Sequence, residues 1–129
     1  MPSIQARLMN KIASITVKSY KGSGAGFVRR FRLVTGASNL LAPIPKGLKF
    51  KKGELGGVPG EWVRARRAAV QPGAGSLLYL HGGAYCIGSP RTHRALTARL
   101  ALDTGLPVFV PDYRLAPEHP CPAALDDAL

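Results

Sequence analysis

The spacing of apolar and polar positions divides this chain of 129 residues into a helical front and a strand-rich remainder. Ile4, Leu8, Ile12 and Ile15 recur at helical intervals and define one face of a helix, with Arg7, Lys11 and Lys18 on another. Ser3 stands where a helix cap is favoured. Gly22-Ser23-Gly24-Ala25-Gly26 is expected to end this helix as a flexible joint. A second apolar and basic segment, Phe27 to Leu41, predicts another helix, weakened at Gly36 and closed by Pro43 and Pro45.

The period then shortens to two. Lys49, Lys51, Arg64 and Arg66 alternate with Leu48, Phe50, Val63 and Ala65, so Leu48 to Glu54 and Glu61 to Ala68 read as edge strands with one wet face. Leu55 to Gly60 would join them as a loose hairpin loop. After the turn Gln71-Pro72-Gly73-Ala74-Gly75, Ser76 to Leu80 is apolar apart from Ser76 and suits the buried centre of a sheet. A glycine-bearing loop follows. Ser89 is then a good helix cap with Pro90 at the first helical position. That helix should run to Asp103, with Ala95, Leu96, Leu100 and Leu102 apolar, and stop at Gly105 and Pro107. Val108-Phe109-Val110 is the next strand. The order strand, helix, strand is a βαβ unit, which implies parallel pairing and a right-handed crossover. Ala116-Pro117 and Cys121-Pro122 lie in a tight connection where either peptide can be cis. Ala123 to Leu129 opens a further helix without a C-terminal cap, and the chain reads as interrupted there.

Composition allows one domain with a modest core: 46% of residues are hydrophobic. No apolar run of about 18 residues is present, so no transmembrane segment is expected. The basic residues scattered through the first 20 positions break any signal-peptide core, and a cytoplasmic protein is expected. The net charge of +11 is lopsided: residues 1–75 carry 14 Lys and Arg against only Glu54 and Glu61, whereas residues 76–129 are close to neutral. A solvated basic face explains this, and no nucleic-acid partner is expected. Cys86 and Cys121 have no metal-ligand spacing and read as two reduced, packed thiols. No metal or other cofactor is implied.

The chemistry concentrates in Leu77 to Ser89, LLYLHGGAYCIGS. A strand that runs into His81-Gly82-Gly83 exposes backbone N–H groups that no side chain shields. Two or three such groups pointing one way form a cradle for an anion. HGG-type loops of this kind build the oxyanion hole of lipases and esterases. His81-Gly82-Gly83-Ala84-Tyr85, Gly88-Ser89 and, further on, Asp112-Tyr113-Arg114-Leu115-Ala116-Pro117-Glu118 together closely resemble the hormone-sensitive-lipase-like esterases of the α/β-hydrolase fold. The resemblance covers roughly residues 46–129 and implies a fold class of α/β. The expected architecture is a partial α/β-hydrolase fold: a helical cap segment over residues 1–42, then an edge β-hairpin and the first βαβ unit of a mostly parallel sheet over residues 43–129, with the C-terminal half absent. A missing neighbour strand would leave an apolar edge open, so these residues alone are expected to fold marginally.

The resemblance implies hydrolysis of small-molecule carboxylic esters, with Gly82, Gly83 and Ala84 as oxyanion donors. His81 would brace the loop. Asp112, Tyr113, Arg114 and Glu118 would support it, through a buried Arg–Asp or Arg–Glu pair. Tyr85 and Cys86 are candidates for the acyl pocket. The family's nucleophile sits in a G-x-S-x-G elbow, and none of Ser3, Ser14, Ser19, Ser23, Ser38, Ser76 or Ser89 has that setting. His93 reads as an exposed helix residue and His119 as a turn residue. No nucleophile, acid or base is therefore assigned, and the chain alone is expected to be inactive. Two other classes remain open: a non-catalytic module completed by another chain, and a basic anion-binding protein acting through residues 1–75, with Arg64, Arg66 and Arg67 as contacts. Oligomeric state is not read from the sequence.

Overall fold

The computed structural model describes residues 24–40, 42–67 and 74–129, together with the helical positions Arg7, Lys11, Ser14 and Ile15. The rest of the expected first helix and its Ser3 cap lie outside the described residues, as does the 71–73 part of the expected turn. The expected joint at residues 22–26 is corrected in part: helix α1 runs Gly24–Leu40, so Gly24, Ala25 and Gly26 form its first turn. N–H groups in a first turn have no intrahelical acceptor in any case, which makes the position tolerant of weak helix formers. Phe27 and Phe31, one turn apart, stack at 5.6 Å.

Strands β1 (Leu48–Leu55) and β2 (Val58–Ala65) form the hairpin in antiparallel register, Leu55 opposite Val58. The expected loose loop is instead a two-residue turn. Gly56 and Gly57 both have positive φ, 59° and 84°, as a tight turn matched to strand twist requires. Pro59 lies inside β2 rather than in a loop. It has no N–H to donate, but its carbonyl accepts the Asp112 N–H at 2.8 Å.

Strand β3 (Leu77–Leu78) and β4 (Val108–Pro111) pair in parallel, and the sheet order is β1-β2-β4-β3. The α/β class and the βαβ unit are as expected. One placement is corrected. Only β1 is an edge strand of the hairpin, because β2 also pairs with β4, antiparallel, with Trp62 opposite Phe109. The segment read as an apolar strand with a missing neighbour lies, as that expectation requires, at the open end of the four described strands: Tyr79 N–H bonds Phe109 O at 2.8 Å on one side, and Leu78 and Leu80 are 51% and 48% exposed.

Side chains alternate across the sheet as the period of two demands. Leu48, Val63, Val108 and Val110 face helix α2 (Arg94–Thr104) and close a core with Ala98 and Ala101. Lys49, Lys51 and Arg64 are exposed on the opposite face, where the Trp62 and Phe109 rings meet at 4.9 Å. The α2 face that packs is small (Thr97, Ala98, Ala101), so helix and sheet approach closely and Leu96 and Leu102 are left exposed. A 3-10 turn, Arg91–His93, precedes α2, and α1 lies against it. Ser89 caps this turn: its Oγ accepts the Thr92 N–H at 3.3 Å while Thr92 Oγ1 accepts the Ser89 N–H at 3.0 Å. Gly105, left-handed, ends α2. A short helix, α3 (Ala123–Asp126), follows the two proline turns, and both Ala116-Pro117 and Cys121-Pro122 are cis. No described helix is long and apolar enough to cross a membrane.

Candidate active site

The site grows from the end of β3. After Leu80 the backbone leaves the sheet at His81, and Gly83, Ala84 and Tyr85 take positive φ values of 141°, 52° and 58°. Two consecutive non-glycine residues in the left-handed region are unfavourable by about 1–2 kcal/mol each. The turn is held at its ends. Gly83 O accepts the N–H groups of both Cys86 and Ile87 at 3.0 Å, and Tyr85 O accepts the Ala116 N–H at 2.8 Å.

The N–H groups of Gly82, Gly83 and Ala84 have no acceptor among the described residues. They border a cleft of about 390 Å³ whose apolar wall includes Leu80, Tyr85 and Leu125. Tyr85 lies on this cleft and is largely exposed, whereas Cys86 is not among its lining residues. On the far side of the same loop, a cleft of about 460 Å³ separates it from α1.

His81 is 3% exposed, its ring stacked on Tyr113 at 4.2 Å and on His93 at 5.3 Å. The expectation that His93 is exposed is corrected by this stack. Tyr113 is buried and donates its hydroxyl proton to the His81 carbonyl. With that proton committed, Tyr113 Oη can only accept from His81 Nδ1, 3.1 Å away, and Gly82 O, also at 3.1 Å, can only accept. Nδ1 therefore carries the ring proton, and buried Nε2 presents a lone pair with no described partner.

Burial holds the His81 imidazole below its ordinary range. The Gly82 carbonyl opposes this, nearby His93 adds to it, and Asp112 opposes it weakly. Burial likewise raises the Tyr113 phenol. A histidine held neutral by the fold takes up a proton more readily when unfolded, so stability should be complete above about pH 6.5 and fall on acidification below it. We expect the thermal midpoint to drop between pH 7 and pH 5, and His81→Asn to flatten that slope. Arginine partners hold Glu118 and Asp127 below the usual carboxylate range, so they titrate beneath this window.

The expected ion pair within residues 112–118 does not form, because its members reach other segments. Arg114 grips Asp127 beside α3, with Nε 2.9 Å from Oδ1, while its own N–H bonds Oδ2 at 2.8 Å. Glu118 is bound by Arg32 of α1, at 2.8 Å to each carboxylate oxygen. Asp112 is exposed, and its backbone N–H ties it to β2. Arg32, which the sequence did not single out, also reaches Cys86 O and Ala116 O. Cys86 is half-buried, Cys121 is exposed, and both are free thiols. Among the described residues no group of three or more His, Cys, Asp or Glu is placed to hold a metal ion.

A family model for the alpha/beta hydrolase fold matches residues 77–129, the stretch that holds the glycine loop and its support. Over 125 residues the chain is 37% identical to LipR of Mycobacterium tuberculosis, a protein named as an acetyl-hydrolase, covering 92% of this chain and 40% of that protein. It is also 47% identical over 86 residues to an esterase of Acinetobacter venetianus, covering 67% of this chain and 27% of the esterase. The crystal structure of a hormone-sensitive lipase from a metagenome library superposes with a TM-score of 0.75 at 32% identity, over 97% of this chain and 40% of that one. This chain belongs to the hormone-sensitive-lipase-like family of the α/β-hydrolase fold. It spans about 40% of the length of the metagenome lipase and of the mycobacterial relative. Within that family fold the described residues form the hairpin, the βαβ unit and the glycine loop beside it.

Proposed function

We propose that this chain supplies the oxyanion loop of a carboxylic-ester hydrolase. The observation that carries the reading is the run of three N–H groups, Gly82 to Ala84, without an acceptor among the described residues, at the wall of a partly apolar cleft. Such donors stabilise charge on a carbonyl oxygen as a nucleophile adds to it. His81, Tyr113 and Arg114 hold the loop and its neighbour in place, Glu118 pairs with Arg32 at the exposed rim, and Tyr85 borders the acyl side. The names of the relatives, acetyl-hydrolase and esterase, favour esters with short acyl chains. Residues 1–42 would contribute to a cap above the loop. The nucleophile comes from outside these 129 residues, since no serine here stands in an elbow and Ser89 is committed to capping. The open edge at Leu78 and Leu80 favours a second possibility, a binding module completed by strands of another polypeptide.

One experiment addresses both. Residues 1–129 alone should hydrolyse p-nitrophenyl acetate no faster than buffer, without a burst. The Acinetobacter esterase, with its matching segment replaced by that of this chain, should turn the ester over. A stoichiometric burst from the chain alone would overturn the division of labour. A folded but silent chimera would remove the oxyanion assignment and leave the binding module.

A further inference from the structure

We infer that Arg32 is the positioning residue that fixes the oxyanion turn to helix α1, an inference that rests on the ester-hydrolysis reading. One guanidinium joins three chain segments. Nε donates to Cys86 O at 2.6 Å and Nη2 to Ala116 O at 2.7 Å, and the two Nη groups fork onto Glu118 at 2.8 Å each.

The two carbonyls are placed to matter. Cys86 is the residue whose N–H closes the turn on Gly83 O, and Ala116 is the residue whose N–H holds Tyr85 O. The left-handed pair, Ala84 and Tyr85, therefore lies between anchors that Arg32 secures from the other side. An unfavourable backbone conformation persists only where its surroundings fix both ends. Guanidinium geometry suits the task, because planar donors in a rigid fork can serve two carbonyls and a carboxylate at once. A lysine ammonium carries three donors at one point and cannot span these acceptors. The Arg32 side chain is 29% exposed and Glu118 56%. The carbonyl end is thus the sheltered end, while the ion pair is screened by water. The bonds to Cys86 and Ala116, rather than the charge pair, set the turn. Arg32 also lines the cleft between α1 and the loop, so a displacement of α1 is transmitted to the Gly83 and Ala84 donors.

The test uses the 129-residue chain with Arg32→Gln, Arg32→Lys and Glu118→Gln variants, and two readouts. The first is amide exchange at Cys86 and Ile87, referenced to Phe109 and Val110 in β4. Arg32→Gln should speed loop exchange at least tenfold with β4 unchanged within twofold. Arg32→Lys, which keeps the stem and the charge and guards against a misfolded glutamine variant, should behave the same way. Glu118→Gln should change it less than threefold. Wild-type exchange in both Arg32 variants overturns the inference, as does Glu118→Gln exchange as fast as Arg32→Gln. The second readout is titration with acetate, a carboxylate that mimics the oxyanion, followed by the amide shifts of Gly83 and Ala84. Affinity should fall at least fivefold in both Arg32 variants while the melting midpoint stays within a few degrees. Unchanged affinity beside a loosened loop means a purely structural contact and overturns the positioning role. No response from Gly83 or Ala84 in the wild type removes the ester-hydrolysis reading itself, while the exchange data still decide whether Arg32 pins the turn.

Discussion

Gly83→Ala, placed in an esterase that carries this chain's loop, is expected to lower kcat for p-nitrophenyl acetate by about 100- to 1000-fold, the loss that follows removal of one oxyanion donor. A Cβ at Gly83 would stand 2.0 Å from the Ile87 carbonyl oxygen and 2.7 Å from its carbon. Both are backbone atoms, so no side-chain rotation relieves the overlap. The same carbonyl group of Gly83 receives Cys86 and Ile87 N–H, and the backbone of Ile87 therefore cannot retreat without opening the turn. The φ of 141° disfavours any side chain independently of the space available. Gly83 and Ala84 N–H must then swing away from the oxygen they would stabilise. The loss should appear in kcat with KM little changed, because the donors act on charge that develops in the transition state. Gly82→Ala is the control. A Cβ there meets no atom within 4 Å, and that variant should keep activity within a few-fold. Equal losses in the two variants would count against the geometry, and a collapse of the melting midpoint in Gly83→Ala would assign the loss to folding instead.

What the sequence discloses of this architecture is its local part. The alternation of Leu48, Phe50 and Val63 with Lys49, Lys51 and Arg64 gave the two faces of the hairpin correctly, because a period of two leaves little freedom once one face is buried. The βαβ order and the stop at Gly105 were equally legible. Misreadings occurred where a residue's local habit was overruled by a partner. Pro59 reads as a loop residue but needs only its carbonyl for the ladder. Gly24 and Gly26 read as a joint but sit in a helix whose body is tied down by Arg32. His93 reads as an exposed helix residue but stacks on His81. The pairs Arg32–Glu118 and Arg114–Asp127 join separate segments, and pairing at such separations leaves no periodic trace. The loop that bears the proposed chemistry was visible through its glycines, whereas the arginine that holds it was not.

Arg94→Met is expected to destabilise the fold by about 3 kcal/mol, the low end for removing one partner of a buried ion pair because Arg94 itself is partly exposed. Glu61, 6% exposed, points from the middle of β2 toward α2, and Arg94 is the first residue of that helix. Arg94 Nε bonds Glu61 Oε1 at 2.8 Å and Nη2 bonds Oε2, so the carboxylate is satisfied by a single side chain. The guanidinium also lies 4.9 Å from the centre of the Phe50 ring, an attraction the methionine loses. With Arg94 gone the carboxylate stays under the start of α2 without a counter-charge. The cleft that Glu61 and Arg94 line brings water to one side of it only, and full hydration would require the helix to lift from Val63 and Val110, opening the core closed by Ala98 and Ala101. Urea unfolding should show the loss as a lower midpoint with an unchanged slope. The double replacement of Glu61 by leucine and Arg94 by methionine should recover most of it, because the cost of the single change lies in the orphaned charge rather than in the missing attraction. If the double variant were as unstable as Arg94→Met, the stabilisation would have to come from packing of the arginine stem. In that case Glu61→Gln, which keeps the stem in place, would be nearly neutral.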